Sequence, residues 1–288
     1  MSQLLRLDHR YHDLEDHDRG FVFDLATLDR RGMLKLLGLG GLSAGLFTIV
    51  GCQPGGSSAS ASPSAASSTD AVASGNATCE AIPEETAGPF PGDGSNGPDV
   101  LSQTGVVRKD IRSSFGSSTT VAAGVPLTIN LTIQDAGGDC APLSGAAVYL
   151  WHCDRDGNYS LYSQAAASEN YLRGVQEADD SGLVTFQSIF PACYSGRWPH
   201  IHFEVYPSLE LATDERNKIA TSQIALPKDS CETVYATDGY SGSVQTLSRV
   251  SLTSDMVFSD DGAARQLGAV TGSVSGGMTV TATIPVNT

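Results

Sequence analysis

Basic residues are scarce in this sequence. Of its 288 residues 17 are lysine or arginine against 32 aspartate or glutamate, a formal net charge of −15 with an isoelectric point near 4.6. Such an acid surface repels a phosphate backbone, which argues against nucleic acid as a partner. None of the six cysteines forms a C-x-x-C pair, so thiolate zinc and thioredoxin-type chemistry find no support. Helical periodicity is nearly absent after residue 78. The best candidate is a short stretch around Ser208 to Lys218, and an α/β fold is disfavoured. No internal repeat is visible.

One long apolar run is present, from Gly32 to Gly51, and it follows Arg30-Arg31-Gly32-Met33-Leu34-Lys35. The paired arginines resemble a twin-arginine export signal. The ending Ile49-Val50-Gly51-Cys52 resembles a lipobox, in which cleavage precedes a cysteine that then receives lipid. An uncleaved transmembrane helix is the alternative, since the run approaches the roughly 20 residues that span a bilayer; its many glycines make a poor helix. Residues 1–51 therefore read as a signal region. Residues 52–78 are almost all Ser, Ala, Gly and Pro, too poor in apolar side chains to offset the entropy of ordering, and read as a flexible tether lipid-anchored through Cys52. The expected location is the cell envelope, facing periplasm or exterior. The acid charge belongs to the part after the signal: from Cys52 onward eleven Lys/Arg face twenty-five Asp/Glu. With Cys52 assigned to lipid, Cys79, Cys140, Cys153, Cys193 and Cys231 remain, an odd number that allows at most two disulfides of open connectivity.

Residues 79–288 read as one all-β domain, a β-sandwich with long loops. Apolar and polar residues alternate over Val125 to Ile133, Ala147 to Trp151, Leu183 to Phe186, Ile201 to Tyr206 and Met278 to Ile284. Turn formers such as Asp154-Arg-Asp-Gly157 and Asp179-Asp-Ser-Gly182 separate these segments.

Histidine is as rare as basic charge: after Cys52 only His152, His200 and His202 occur. Residues two apart on a strand share a face, so His200 and His202 can offer two imidazoles to one metal ion. Two buried histidines satisfied by hydrogen bonds are the plain alternative. His152, beside Trp151, reads as a structural or supporting residue.

The runs Leu150-Trp-His-Cys-Asp-Arg-Asp-Gly-Asn-Tyr159-Ser, Glu169-Asn-Tyr-Leu-Arg-Gly-Val-Gln176, Asp180-Ser-Gly-Leu-Val-Thr-Phe186 and Tyr194-Ser-Gly-Arg197-Trp-Pro-His200-Ile-His202-Phe203, preceded by Glu85-Thr-Ala-Gly-Pro-Phe90, resemble the intradiol ring-cleavage dioxygenases. The motifs keep their order from about residue 79 to 206. The resemblance implies a non-haem iron(III) held by Tyr159, Tyr194, His200 and His202, with Tyr194 and His202 axial and Tyr159 and His200 equatorial. It further implies a catechol-type diol and dioxygen as substrates, a cis,cis-muconate-type diacid as product, Tyr194 as a group that helps accept protons, and Arg197 as the stabiliser of charge developing on the ring. For Arg197 the alternative is a surface arginine that caps a carboxylate. Tyrosinates are hard anionic donors and suit iron(III). Tyr162 is a less suitable match than Tyr159, and Phe90, Trp198 and Tyr171 are candidates for the ring pocket.

The spacing from Tyr194 to His200 is short, and the resemblance fades after Tyr206. No helical N-terminal dimerisation segment is seen, so oligomeric state stays open. Two other readings remain: a catalytically inactive β-sandwich binding lipoprotein, and a hydrolytic or copper site that uses the histidine pair without the tyrosines.

Overall fold

The computed structural model describes residues 79–288. The expected signal region (1–51) and tether (52–78) lie outside the described residues. Among the described residues no helix is long and apolar enough to cross a membrane.

Among the described residues nine strands form two sheets. The first contains β1 (Pro126–Asp135), β2 (Ala141–Pro142), β5 (Leu183–Ile189), β8 (Ala269–Ser273) and β9 (Gly277–Val286). Here β1 pairs antiparallel with β5 and with the short β2, and parallel with β9, whose outer edge carries β8. The second sheet has the order β4 (Arg173–Glu177), β3 (Ala147–Trp151), β6 (His200–Tyr206), β7 (Ala220–Ala225), all antiparallel.

The two sheets bury their strands differently. In β1 only Leu127, Ile129, Leu131 and Ile133 are buried, with half-exposed residues between them. That is the alternation expected of a strand with one wet face. In β6 all seven residues are buried. Its Ile201, Phe203 and Val205 pack toward the first sheet with Leu150, Phe186 and Ile284. The opposite face belongs to a second apolar cluster, in which Tyr149, Trp151 and Tyr206 meet Val100, Leu101, Tyr159 and Ala192 from the covering loops. His200 and His202 therefore face a layer of loops, sealed from bulk water.

The helix expected near Ser208 to Lys218 does not form; that stretch is turns with one 3-10 turn at Glu215–Asn217. Two short α-helices lie further on, α1 (Lys228–Tyr235) and α2 (Ser241–Leu247). In α1 the buried Cys231, Val234 and Tyr235 make one helical stripe, too short to stand out as a period. Strands β4, β7 and β8 escaped notice because RGVQE, ATSQIA and AVTGS do not alternate.

Of the five cysteines among the described residues, Cys79 and Cys140 are bonded across 61 residues. Closing a loop of that length stabilises by about 4 kcal/mol through chain entropy. Cys153, Cys193 and Cys231 are free and buried, with burial raising their thiols above the ordinary range.

Candidate functional site

The site is built on one rung of the second sheet. Arg173 on β4 stands opposite Trp151 on β3, Trp151 opposite His202 on β6, and His202 opposite Gln223 on β7. Directly opposed residues in an antiparallel sheet project to the same side, so these four side chains form a row. The Trp151 ring stacks on His202, with centroids 4.9 Å apart and planes 5° from parallel, which fixes the imidazole plane.

His200 lies two residues back on the same face, its Nε2 3.0 Å from His202 Nε2. Loops bring in the tyrosines. Tyr159 is 2% exposed and follows the Asp154–Asn158 turn, in which the Asp154 carboxylate accepts the backbone N–H of Asp156 and Asn158. Tyr194, half-buried, arrives from the segment between β5 and β6. The Tyr159 hydroxyl lies 3.3 Å from His200 Nε2, 3.2 Å from His202 Nε2 and 3.4 Å from the Tyr194 hydroxyl, which is 3.2 Å from His200 Nε2. All four side chains singled out in the sequence thus converge on one point. Tyr162 does not: its hydroxyl accepts from Gly92 N and donates to Asn96 Oδ1.

Hydrogen bonding alone accounts poorly for this cluster. His200 Nδ1 faces the Trp198 carbonyl at 2.5 Å and must carry the proton, leaving Nε2 as a lone pair. At most three protons, two phenolic and one on His202, then serve five contacts of 3.0–3.4 Å. His202 Nδ1 is buried with no hydrogen-bond partner among the described residues. Four donors each about 2.1 Å from a common cation, at angles near 90–110°, have mutual separations of roughly 3.0–3.4 Å, so the donor set fits a metal ion. Among the described residues no group of three or more His, Cys, Asp or Glu does so.

The charge states agree. Burial first, then the Arg197 charge, lowers His200 to about 3, and burial with the neighbouring His200 holds His202 well below its ordinary value. Both imidazoles are neutral near pH 7. Burial raises the Tyr159 phenol well above its ordinary value, so that it stays protonated until a cation is present.

Arg197 is neither at the surface nor isolated. It is 1% exposed, and its Nε donates to Asp255 Oδ2 at 3.0 Å and its Nη2 to Gln223 Oε1 at 2.6 Å. Asp255, 0% exposed, also accepts from the backbone N–H groups of Trp198, Val257 and Phe258. The alternative of a surface arginine is therefore corrected: the carboxylate partner exists, but the pair is in the interior. Burial pushes Asp255 upward, yet Arg197 and these N–H groups outweigh it and hold the carboxyl below its ordinary range. Asp255, Gln223, Arg173 and Trp151 went unnoticed as site residues; strand register with His202 could have pointed to Trp151, Gln223 and, one strand further, Arg173, but nothing local marks Asp255.

The three aromatic candidates separate. Phe90 lies 5.0 Å from the Tyr159 ring and 5.2 Å from Tyr162, at the site. Trp198 is packed into the inter-sheet core and Tyr171 donates to Asp154, bracing the turn before Tyr159. His152 donates through Nδ1 to the Cys153 carbonyl and accepts from Ser188 at 2.6 Å, a closed structural pair.

Buried neutral histidines have a cost in acid. His152 and His200 are lowered to about 4 and about 3, below the roughly 6.5 of an unfolded chain. As pH falls below that value the unfolded state gains protons first, and each histidine removes up to about 1.4 kcal/mol per pH unit. Glu85 and Glu204, raised by burial from 4.5 to about 7, act in the opposite sense between those two values. The metal-free protein is thus expected to lose stability slowly down to about pH 4.5 and steeply below it. Thermal unfolding from pH 7 to 3.5 checks this; a midpoint constant to pH 3.5 contradicts neutral buried histidines.

Residues 96–213 match the family model described as Dioxygenase. The chlorocatechol 1,2-dioxygenase of Rhodococcus opacus is 36% identical over 63 residues, 22% of this chain and 24% of that protein. Catechol 1,2-dioxygenase 2 of Acinetobacter lwoffii is 36% identical over 59 residues, 20% and 21% of the two chains. The matched stretch spans about a quarter of the length of these curated relatives. An intradiol ring-cleavage dioxygenase from Tetranychus urticae has the same fold, with a TM-score of 0.57 and 23% identity over 73% of this chain and 95% of that one. Residues 96–213 thus match the Dioxygenase family model, and the two-sheet fold is similar to that of an intradiol ring-cleavage dioxygenase.

Proposed function

We propose that the chain is a non-haem iron(III) dioxygenase that opens a catechol-type ring between its two hydroxyl carbons and gives a cis,cis-muconate-type diacid. The observation that carries this reading is the meeting of two phenols and two neutral imidazoles through five mutual contacts of 3.0–3.4 Å. Phenolates are hard anionic donors that suit a ferric ion. When bound, that ion supplies Lewis acidity toward phenol and diol and an electron-accepting centre for dioxygen chemistry.

The chain's own groups divide the remaining tasks. His200 and His202 present lone pairs without having to lose a proton. Tyr194, half-buried where Tyr159 is sealed, is the phenol placed to take a proton from an incoming diol. Arg197, held by Asp255 and Gln223, provides a fixed positive charge in a dry interior, where it stabilises negative charge on the ring at no reorganisation cost. Phe90 with Tyr162 offers an apolar wall for an aromatic ring. In the same reading the twin-arginine and lipobox segments take the enzyme out of the cytoplasm and anchor it through lipid on Cys52.

The test uses the full chain loaded with ferric ion. Tyrosinate bound to iron(III) absorbs visible light, so the protein is expected to be reddish, to change colour with catechol, and to consume one dioxygen per ring opened across catechol, protocatechuate and hydroxyquinol. Colourless protein at full iron occupancy sinks the proposal. A coloured protein that changes hue with catechol but takes up no dioxygen favours the inactive binding lipoprotein instead.

A further inference from the structure

The rung that carries the candidate centre begins with a charge that has no counter-ion. Arg173 is 1% exposed, and among the described residues no carboxylate lies within ion-pair distance of its guanidinium. All five N–H groups are used on neutral oxygens. Nε donates to Ser160 Oγ at 3.0 Å, Nη1 to Pro91 O at 2.6 Å and to the Tyr149 hydroxyl at 3.0 Å, and Nη2 to Phe90 O at 2.9 Å and Ser160 O at 3.0 Å. A buried guanidinium is tolerable only with every donor matched, and its planar fork dictates where the acceptors stand.

Four of those five acceptors lie on two segments distant in sequence. One is Phe90–Pro91, of which the Phe90 ring walls the site; the other is Ser160, the residue after Tyr159. The fifth, the Tyr149 hydroxyl, itself donates to Pro91 O at 2.6 Å and closes the bracket. The loop passes so close that a Cβ on Gly92, at φ +67°, would come within 2.8 Å of Nη1. The guanidinium also lies 5.5 Å from the centre of the Tyr162 ring. Its own backbone is held in turn, Arg108 donating to Arg173 O through Nε at 3.0 Å and Nη2 at 2.7 Å.

We propose that Arg173 is a positioning residue of the candidate centre, its guanidinium clamping the Phe90–Pro91 wall to Ser160 and so setting the Tyr159 hydroxyl against His200 and His202. The clamp is a property of the metal-free chain; only its consequence for metal binding rests on the functional reading above. A merely structural arginine holds the fold together without singling out these two segments.

Arg173→Lys keeps the charge and loses the fork. In the metal-free full chain, hydrogen exchange followed by mass spectrometry is expected to quicken at least about tenfold in peptides covering residues 90–93 and 159–162, while β1 stays as protected as before. With ferric ion, competition against a chelator is expected to show affinity lowered about 10–100-fold and a shifted tyrosinate band. Ser160→Ala and Tyr149→Phe, each removing one acceptor, are expected to change both readouts in the same direction by less, and they decide the matter if Arg173→Lys does not fold. Unchanged exchange in either segment, or exchange that rises equally in β1, overturns the clamp; affinity and band within twofold of wild type overturn its role at the centre. A wild-type chain that takes up no ferric ion defeats the functional reading, and the exchange measurement still judges the clamp.

Discussion

Tyr159→Phe is expected to lower kcat/KM for the proposed ring cleavage at least about a hundredfold and to remove much of the visible absorption of the iron-loaded protein, with little loss of stability. The size follows from the position of the hydroxyl. It contacts all three other donors at 3.2–3.4 Å, and even partners outside the coordination sphere of a metal are worth 10–100-fold. Stability is spared because the ring keeps its packing on Phe90 and His202, while the oxygen lost is one that burial penalises once ionised. Steady-state oxygen uptake, the visible spectrum and thermal unfolding measure the three parts. Metal affinity and colour equal to wild type would instead favour a site made by the histidine pair alone.

The second large effect is at Asp255. Removing its carboxylate by Asp255→Ala takes from the buried Arg197 guanidinium its ion pair at 3.0 Å. Breaking a buried ion pair in this way costs about 3–5 kcal/mol, which for a domain of this size lowers the unfolding midpoint by about 10 °C. Turnover is expected to fall as well, because Arg197 loses the anchor that aims it. The double change Arg197→Met with Asp255→Leu separates the two roles: an apolar pair of similar volume recovers most of the stability and none of the turnover. Recovery of turnover in the double variant would show that Arg197 serves packing only.

The sandwich was legible wherever apolar and polar residues alternate along the sequence. The alternation over Val125 to Ile133 marked β1, and that over Met278 to Ile284 marked β9, to within one or two residues at each end. It was illegible in β4, β7 and β8, whose sequences RGVQE, ATSQIA and AVTGS do not alternate. The helix expectation failed for a related reason. Ser208 to Lys218 has helix formers but no apolar stripe to bury, whereas the eight residues of α1 have one at Cys231, Val234 and Tyr235.

By itself the sequence determined the chemistry on offer: two histidines two apart on an apolar strand, tyrosines set in Gly-Asn-Tyr-Ser and Cys-Tyr-Ser-Gly contexts, and an arginine three residues before the first histidine. Which side chains meet was decided by tertiary structure. Strand register aligned Arg173, Trp151, His202 and Gln223 from four separate segments, and loop closure brought Tyr159 and Tyr194 to 3.4 Å. Arg197 found its carboxylate 58 positions away, beyond the last recognisable motif. Period two tells which face a residue takes, a local property of the backbone. Its opposite number depends on how distant strands slide into register, which is settled by the burial of the whole sheet.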